Sequence, residues 1–208
     1  MTAIQDAPTK VISPSKLSHV VFRTRPENAA KMAEFWEFFV GGKKVFQNDL
    51  LTLIAYDDEH HRIAIVPIPV HVSFTFNTLQ ELLLSYRQRK AAGVTPVWCV
   101  HHGPTISMYY RDPDGNYIEV QVDVFETGEE AVAYMSGEEY QANPLGVDYD
   151  PEEIIAALEK GEDPKKFLLG GGDVYARAYQ ASSHFLDVLD QVFRLLFQTK
   201  LGGGVKGN

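Results

Sequence analysis

His19-Val20-Val21-Phe22 and His71-Val72-Ser73-Phe74 are two copies of one pattern, His-Val-x-Phe, set 52 residues apart. Each copy opens a strand that leads into a segment with helical periodicity, Glu27 to Val40 in the first and Leu79 to Ala92 in the second. Ala30, Met32, Ala33, Phe35, Trp36, Phe38 and Phe39 form a broad apolar stripe on the first helix, and Leu82, Leu83, Tyr86 and Ala91 form one on the second. Gly41-Gly42 and Gly93 stand where helices end on a glycine. Three short strand-like runs follow each helix. In the first copy these are Lys44 to Phe46, Leu51 to Tyr56 and His61 to Pro67; in the second they are Val94 to Val100, Ile106 to Arg111 and Tyr117 to Val122. The last two runs of each copy are joined by polar turns, Asp57-Asp58-Glu59-His60 and Asp112-Pro113-Asp114-Gly115-Asn116. The order strand, helix, strand, strand, strand therefore occurs twice. One such open sheet cannot bury its inner face alone, so the two units are expected to pair around a shared interior.

This reading predicts an α+β fold, two paired βαβββ modules forming a half-open barrel. The chain divides into an N-terminal segment (1–15), a first module (16–69), a second module (70–123), a helical C-terminal extension (124–201) and a disordered tail (202–208). In the extension, Thr127 and Glu130 have the spacing of a capping box, which predicts a helix from about Thr127 to Met135. Asp150 before Pro151, Glu152 and Glu153 predicts another from Pro151 to Lys160. A third is expected from Asp173 to Thr199. There Phe185, Leu186, Leu189, Phe193 and Leu196 follow helical spacing, widened by Val188, Val192 and Leu195. So much apolar surface should be covered, either by packing back on its own domain or by docking on a second subunit; a homodimer or higher homo-oligomer is expected.

A net charge of -9 over 208 residues excludes a phosphate-binding surface, since nucleic-acid binders draw their affinity from Lys and Arg. No run reaches the roughly 18 apolar residues of a membrane span, and the N-terminus lacks the apolar core of a signal peptide, so a cytoplasmic protein is expected. The single cysteine, Cys99, allows neither an intramolecular disulfide nor a CxxC zinc site.

Side chains alternate faces along a strand, so His71, Ser73, Thr75 and Asn77 oppose Val72, Phe74 and Phe76, while Glu119 and Gln121 oppose Ile118, Val120 and Val122. A pseudo-twofold axis between the copies would bring His19 and His71 to equivalent positions on facing sheets. Two neutral imidazoles and a carboxylate make the facial triad of a non-haem Fe(II) site, with positions left open for substrate and dioxygen. A structural zinc site would need a fourth ligand. Aligning Tyr56-Asp57 with Tyr110-Arg111 sets Ile65 opposite Glu119, and Ile65 cannot bind a metal.

Five motifs together carry a resemblance: Lys16-Leu-Ser-His-Val-Val21, Asp58-Glu-His-His-Arg-Ile-Ala-Ile65, Val70-His-Val-Ser-Phe74, His102-Gly-Pro-Thr105 and Asp112-Pro-Asp-Gly-Asn-Tyr-Ile-Glu-Val120. Over about Pro14 to Asp123 the chain resembles the vicinal-oxygen-chelate superfamily, and within it the one-domain relatives of type I extradiol ring-cleavage dioxygenases. The resemblance implies His19, His71 and Glu119 as ligands of Fe(II), or Mn(II) in its place. It implies His61, with its neighbour His60 as the alternative, as a histidine beside the metal. It also implies His102 as an acid–base or dioxygen-side group, and Tyr109 as a hydrogen-bond partner of the substrate. The reaction implied is cleavage of a catechol-type diol by dioxygen. Because the superfamily also holds glyoxalases and metal-free binding proteins, a metal-dependent isomerase or lyase and a non-enzymatic aromatic-ligand binder stand as alternatives. Arg23, Gln47 and Asn48 match no known substrate determinant, and nothing from Phe167 onward carries the resemblance.

Overall fold

A computed structural model describes residues 10–48, 51–66 and 70–169; the helix expected from Asp173 to Thr199 and the tail lie outside them. Among the described residues nine strands make one open sheet in the order β2-β3-β4-β1-β5-β8-β7-β6-β9. The first module contributes β1 (Lys16–Arg23), α1 (Ala29–Phe39), β2 (Lys43–Gln47), β3 (Thr52–Ala55) and β4 (Ile63–Val66). The second contributes β5 (His71–Phe76), α2 (Leu79–Ala91), β6 (Trp98–His101), β7 (Thr105–Arg111) and β8 (Tyr117–Asp123). The order in the second module mirrors that in the first, and the modules join where β1 pairs antiparallel with β5. His19 and His71 consequently stand on neighbouring strands of one sheet, not across facing sheets as the sequence suggested.

Alternation along the strands sorts the sheet into two faces. In the second module, Phe76, Ile106, Met108, Tyr110, Val120 and Val122 pack on Leu79, Leu82 and Leu83 of α2. Burying each such leucine contributes about 1.5–3 kcal/mol. Ser73, Thr75, Ser107, Tyr109, Glu119 and Gln121 alternate with them and are buried on the opposite face. In the first module Ile54, Ile63 and Ile65 pack with Ala33 of α1, and Val21, Phe46, Leu53, Ala64 and Val66 occupy the other face.

The extension supplies α3 (Gly128–Met135), α4 (Glu138–Ala142), β9 (Val147–Asp148), α5 (Pro151–Glu159) and α6 (Pro164–Leu168). Thr127 and Glu130 form the expected capping box, and the Asp150 carboxylate accepts from Glu152 N. Met135 and Tyr140, from α3 and α4, join the inner cluster of the first module, while Ile154, Ile155 and Phe167, from α5 and α6, join the cluster over α2. Some expected boundaries shift, as where the run from His61 becomes a strand only at Ile63. The first helix begins only at Ala29, after a 3-10 turn over Pro26–Asn28. The run from Val94 starts as a strand only at Trp98, because Pro96 has no N–H to give a ladder.

Candidate metal centre

The β1–β5 pairing runs Lys16 opposite Thr75 and Leu17 opposite Phe74, then slips by one residue before Val20 meets Val72. This bulge lies at Ser18 and His19, and a bulge re-aims the side chain it carries. The two carbonyls it takes out of the ladder are claimed by Arg62, whose Nη1 donates to Leu17 O at 2.8 Å and Ser18 O at 2.7 Å. Asp57 holds the same guanidinium through Nε at 2.9 Å. Arg62 is 43 residues beyond His19 in the chain, and only the register of β1 against β4 reveals the clasp.

His71 begins β5, and Glu119 sits in the middle of β8 beside Ser73 and Tyr109. His19 Nε2 and His71 Nε2 are 3.3 Å apart, and each is 3.1 Å from Glu119 Oε2. With bonds of about 2.1 Å, ligands at right angles would be about 3.0 Å apart and tetrahedral ones about 3.4 Å. Two of the three edges match the right-angled spacing. Glu119 is buried, and its Oε2 makes no hydrogen bond despite this closeness. Burial alone would raise Glu119, but the adjoining His19 and His71 outweigh it and hold the carboxyl well below the usual range. An ionised, buried oxygen without a hydrogen bond, facing two imidazole nitrogens, is what a divalent cation would satisfy.

Both histidines of the His60-His61 pair reach this cluster. The His61 ring lies 4.3 Å from that of His19, is buried, and leaves Nδ1 without a partner. His60 presents an edge to His19 at 6.4 Å and lines a cavity of about 190 Å3 with Lys16, Glu59, Asp123 and Phe125. Burial, then the His19 charge, pushes His60 down to about 4 and His61 well below its ordinary value. The N-terminus of α3 closes against this loop so tightly that a Cβ on Gly128 would fall 2.5 Å from Asp58 O.

His102 and Tyr109 meet on the other side. His102 Nδ1 is 2.8 Å from the Leu145 carbonyl and Nε2 is 3.0 Å from the Tyr109 hydroxyl. A carbonyl can only accept, so Nδ1 carries the hydrogen and Nε2 accepts from Tyr109. Although part of His102 still meets solvent, the surrounding protein pushes its imidazole down to about 4, and the Glu119 charge recovers only part of that. Burial, reinforced by Glu119, raises Tyr109 well above the ordinary phenol range. The pair is therefore a neutral imidazole and a neutral phenol at physiological pH. The Tyr109 ring also meets His71 edge-on at 5.3 Å and stacks on Trp98 at 4.9 Å.

One expectation changes. Val21 pairs with Ala64 as Ser73 pairs with Glu119, so the counterpart of Glu119 in the first module is Ala64. Ile65 points to the other face, toward α1. Neither can bind a metal, and the cluster keeps one carboxylate. Arg62 and the Leu145 carbonyl are the site groups that sequence reasoning missed; the Asn-Pro-Leu-Gly turn signature at 143–146 was the available sign of the second.

The chain is 39% identical over 159 residues to biphenyl-2,3-diol 1,2-dioxygenase 2 of Rhodococcus globerulus, a match covering 70% of this chain and 83% of the relative. To biphenyl-2,3-diol 1,2-dioxygenase 3 of the same organism it is 36% identical over 160 residues, with the same coverage. Among solved structures, the Mn(II)-bound glyoxalase from Novosphingobium aromaticivorans aligns with a TM-score of 0.49 at 26% identity, over 57% of this chain and 40% of that one. No family model matches the chain.

Proposed function

The chain belongs to the extradiol-dioxygenase family that includes the biphenyl-2,3-diol 1,2-dioxygenases, and from that membership and the His19–His71–Glu119 geometry we propose that it cleaves the ring of a catechol-type aromatic diol with dioxygen at an Fe(II) centre. The observation that carries the proposal is the convergence of two imidazole nitrogens and one buried carboxylate oxygen, 3.1–3.3 Å apart, beneath a neutral histidine–tyrosine pair. His19, His71 and Glu119 would hold the ion, with Mn(II) as the substitute of similar ligand preference. When bound, the ion supplies Lewis acidity toward both diol oxygens and open positions at which diol and dioxygen are held together.

The remaining residues bind and move protons. The Tyr109 hydroxyl, which donates its hydrogen to His102 Nε2, accepts the hydrogen of a diol hydroxyl on its oxygen, and His102 Nε2, kept unprotonated by burial, takes up the diol proton through Tyr109 and returns it later by the same route. His61 Nδ1, buried beside His19 without a partner, is free to hydrogen-bond a small ligand on that side. We assign residues 16–69 and 70–123 as the two modules that each supply one histidine, and the extension from 124 as the cover that shuts the inner face. Ala64 opposite Glu119 disfavours the glyoxalase alternative, which would use a fourth protein ligand.

A reducing, cytoplasmic setting goes with this reading, since the centre works in the ferrous state and Cys99 is the only cysteine. Among the described residues no helix is long and apolar enough to cross a membrane. Homo-oligomerisation is proposed too. The supporting observation is α1, where Phe35, Phe38 and Phe39 are exposed by 52%, 88% and 66%.

Anaerobic reconstitution with Fe(II), followed by oxygen uptake and semialdehyde absorbance across a panel of catechols, tests the function. One dioxygen consumed per ring opened is expected for at least one diol. Silence with every diol at full iron stoichiometry would overturn it. A monomer in light scattering would overturn the oligomer.

A further inference from the structure

The turn Asn143-Pro144-Leu145-Gly146 belongs to the extension, outside both modules, yet it reaches the chemistry. β9 zips antiparallel onto the edge of β6, with Val147 opposite His101 and Asp148 opposite Val100. The chain entering β9 must therefore cross the backbone of His102. Asn at the first position, Pro at the second and Gly at the fourth are the residues such a turn favours. Asn143 closes it from both sides: Gly146 N donates to its carbonyl and to its Oδ1, both at 3.2 Å, and its Nδ2 donates to Gly146 O at 2.7 Å. Gly146 has φ +87°, and a Cβ there would run into the His101 carbonyl oxygen, so only glycine lets the turn seat this closely. The Leu145 carbonyl takes no part in closing the turn and accepts the hydrogen bond of His102 Nδ1.

We propose that the Asn143–Gly146 turn is the positioning element of His102, its Leu145 carbonyl fixing the Nδ1–H tautomer and thereby turning the Nε2 lone pair toward Tyr109 and the substrate. In the opposite tautomer two lone pairs would meet at 2.8 Å across Nδ1 and the Leu145 oxygen, and Nε2 would no longer accept from Tyr109. The kinetic consequence rests on the dioxygenase reading. The tautomer does not, because it is a property of the resting protein.

Multiple-bond 1H–15N spectra of full-length protein labelled at its histidines, recorded metal-free and with zinc as a diamagnetic ion, read the tautomer directly; His102→Gln assigns the signals. A protonated Nδ1 and a bare Nε2 are expected. Asn143→Ala, which loosens the turn, is expected to convert His102 to a mixture of tautomers and to lower kcat about 10–100-fold, the usual cost of losing a histidine's orienting partner, with KM little changed. Asn143→Asp keeps the acceptor for Gly146 N and should recover part of both. An Nε2–H tautomer in the wild type overturns the proposal whatever the variants do. It is equally overturned if Asn143→Ala folds with tautomer and kcat unaltered. If no diol is turned over but the tautomer responds as described, the dioxygenase reading fails and the positioning role stands.

Discussion

Acidification should destabilise the metal-free protein between pH 7 and pH 5 through histidines that burial keeps neutral. His60 and His102 are each pushed from the ordinary 6.5 to about 4. Their folded-state values lie below the unfolded ones, so the unfolded chain takes up protons first and stability falls as pH drops through this window; above about 6.5 it is flat. Fully expressed, a displacement of that size corresponds to roughly 3 kcal/mol. Between pH 7 and pH 5 only part of it is expressed. Applying the two-state proton linkage gives a loss of roughly 2 kcal/mol for His60, and less for His102. His60 is the firmer member of the pair because only 4% of its surface is exposed, whereas His102 is partly open to solvent, which screens it.

A loss of that size is a large share of a typical 5–15 kcal/mol domain stability. Guanidinium unfolding of EDTA-treated protein, followed by circular dichroism at pH 7 and pH 5, measures it. The decisive comparison is His60→Gln, since among the described residues the His60 side chain makes no hydrogen bond whose removal would cloud the result, and its variant should lose roughly 2 kcal/mol less on acidification. A wild-type loss under about 1 kcal/mol, or an identical loss in His60→Gln, would refute the link between burial and acid lability.

Three further outcomes are expected. His71→Ala and Glu119→Ala each remove one of the three proposed ligands and should leave the purified protein without stoichiometric metal by elemental analysis. His102→Ala should retain the metal but lose roughly 10²–10⁴-fold in turnover, the usual share of an acid–base group, with Tyr109→Phe milder in the same oxygen-uptake assay. Arg62→Met frees the two bulge carbonyls under His19 and should weaken metal affinity roughly 10–100-fold by titration, with the circular dichroism spectrum unchanged.

What could be read from the chain was whatever depends on local period. The strand alternation at His71 and Glu119, the capping box at Thr127 and the Asp150 cap are statements about residues two to four apart, and the structure has them. His19 and His71 could be paired because duplication turned a long-range relation into a repeat. The bulge at Ser18 and His19 could not, because it is a mismatch between two strands and appears in neither one alone. The shift from Ile65 to Ala64 has a similar cause: the turns at 57–60 and 112–116 differ in length, and one residue of offset moves a side chain to the other face. The short elements α4, β9 and α6, of 5, 2 and 5 residues, show no period to detect. The turn signature at 143–146 was visible, but only the pairing of β9 with β6 reveals that it lies over His102.

The asymmetry between the modules explains why duplication would leave an open metal centre. At the two equivalent positions stand Glu119, in a polar file with Ser73, Gln121 and Asp123, and Ala64, in an apolar cluster with Val21, Phe46 and Val66. Met135 and Tyr140 of the extension complete that apolar cluster. A carboxylate at position 64 would therefore face hydrocarbon, whereas Glu119 faces imidazoles that keep it ionised. The helices after residue 124 thus do in the first module what a fourth ligand would do in a closed site: they fill the space with packing. On the proposed reading, an ion held by His19, His71 and Glu119 would have its remaining positions left to whatever enters between the His61 side and the His102–Tyr109 side, and two reactants on one metal would need that room.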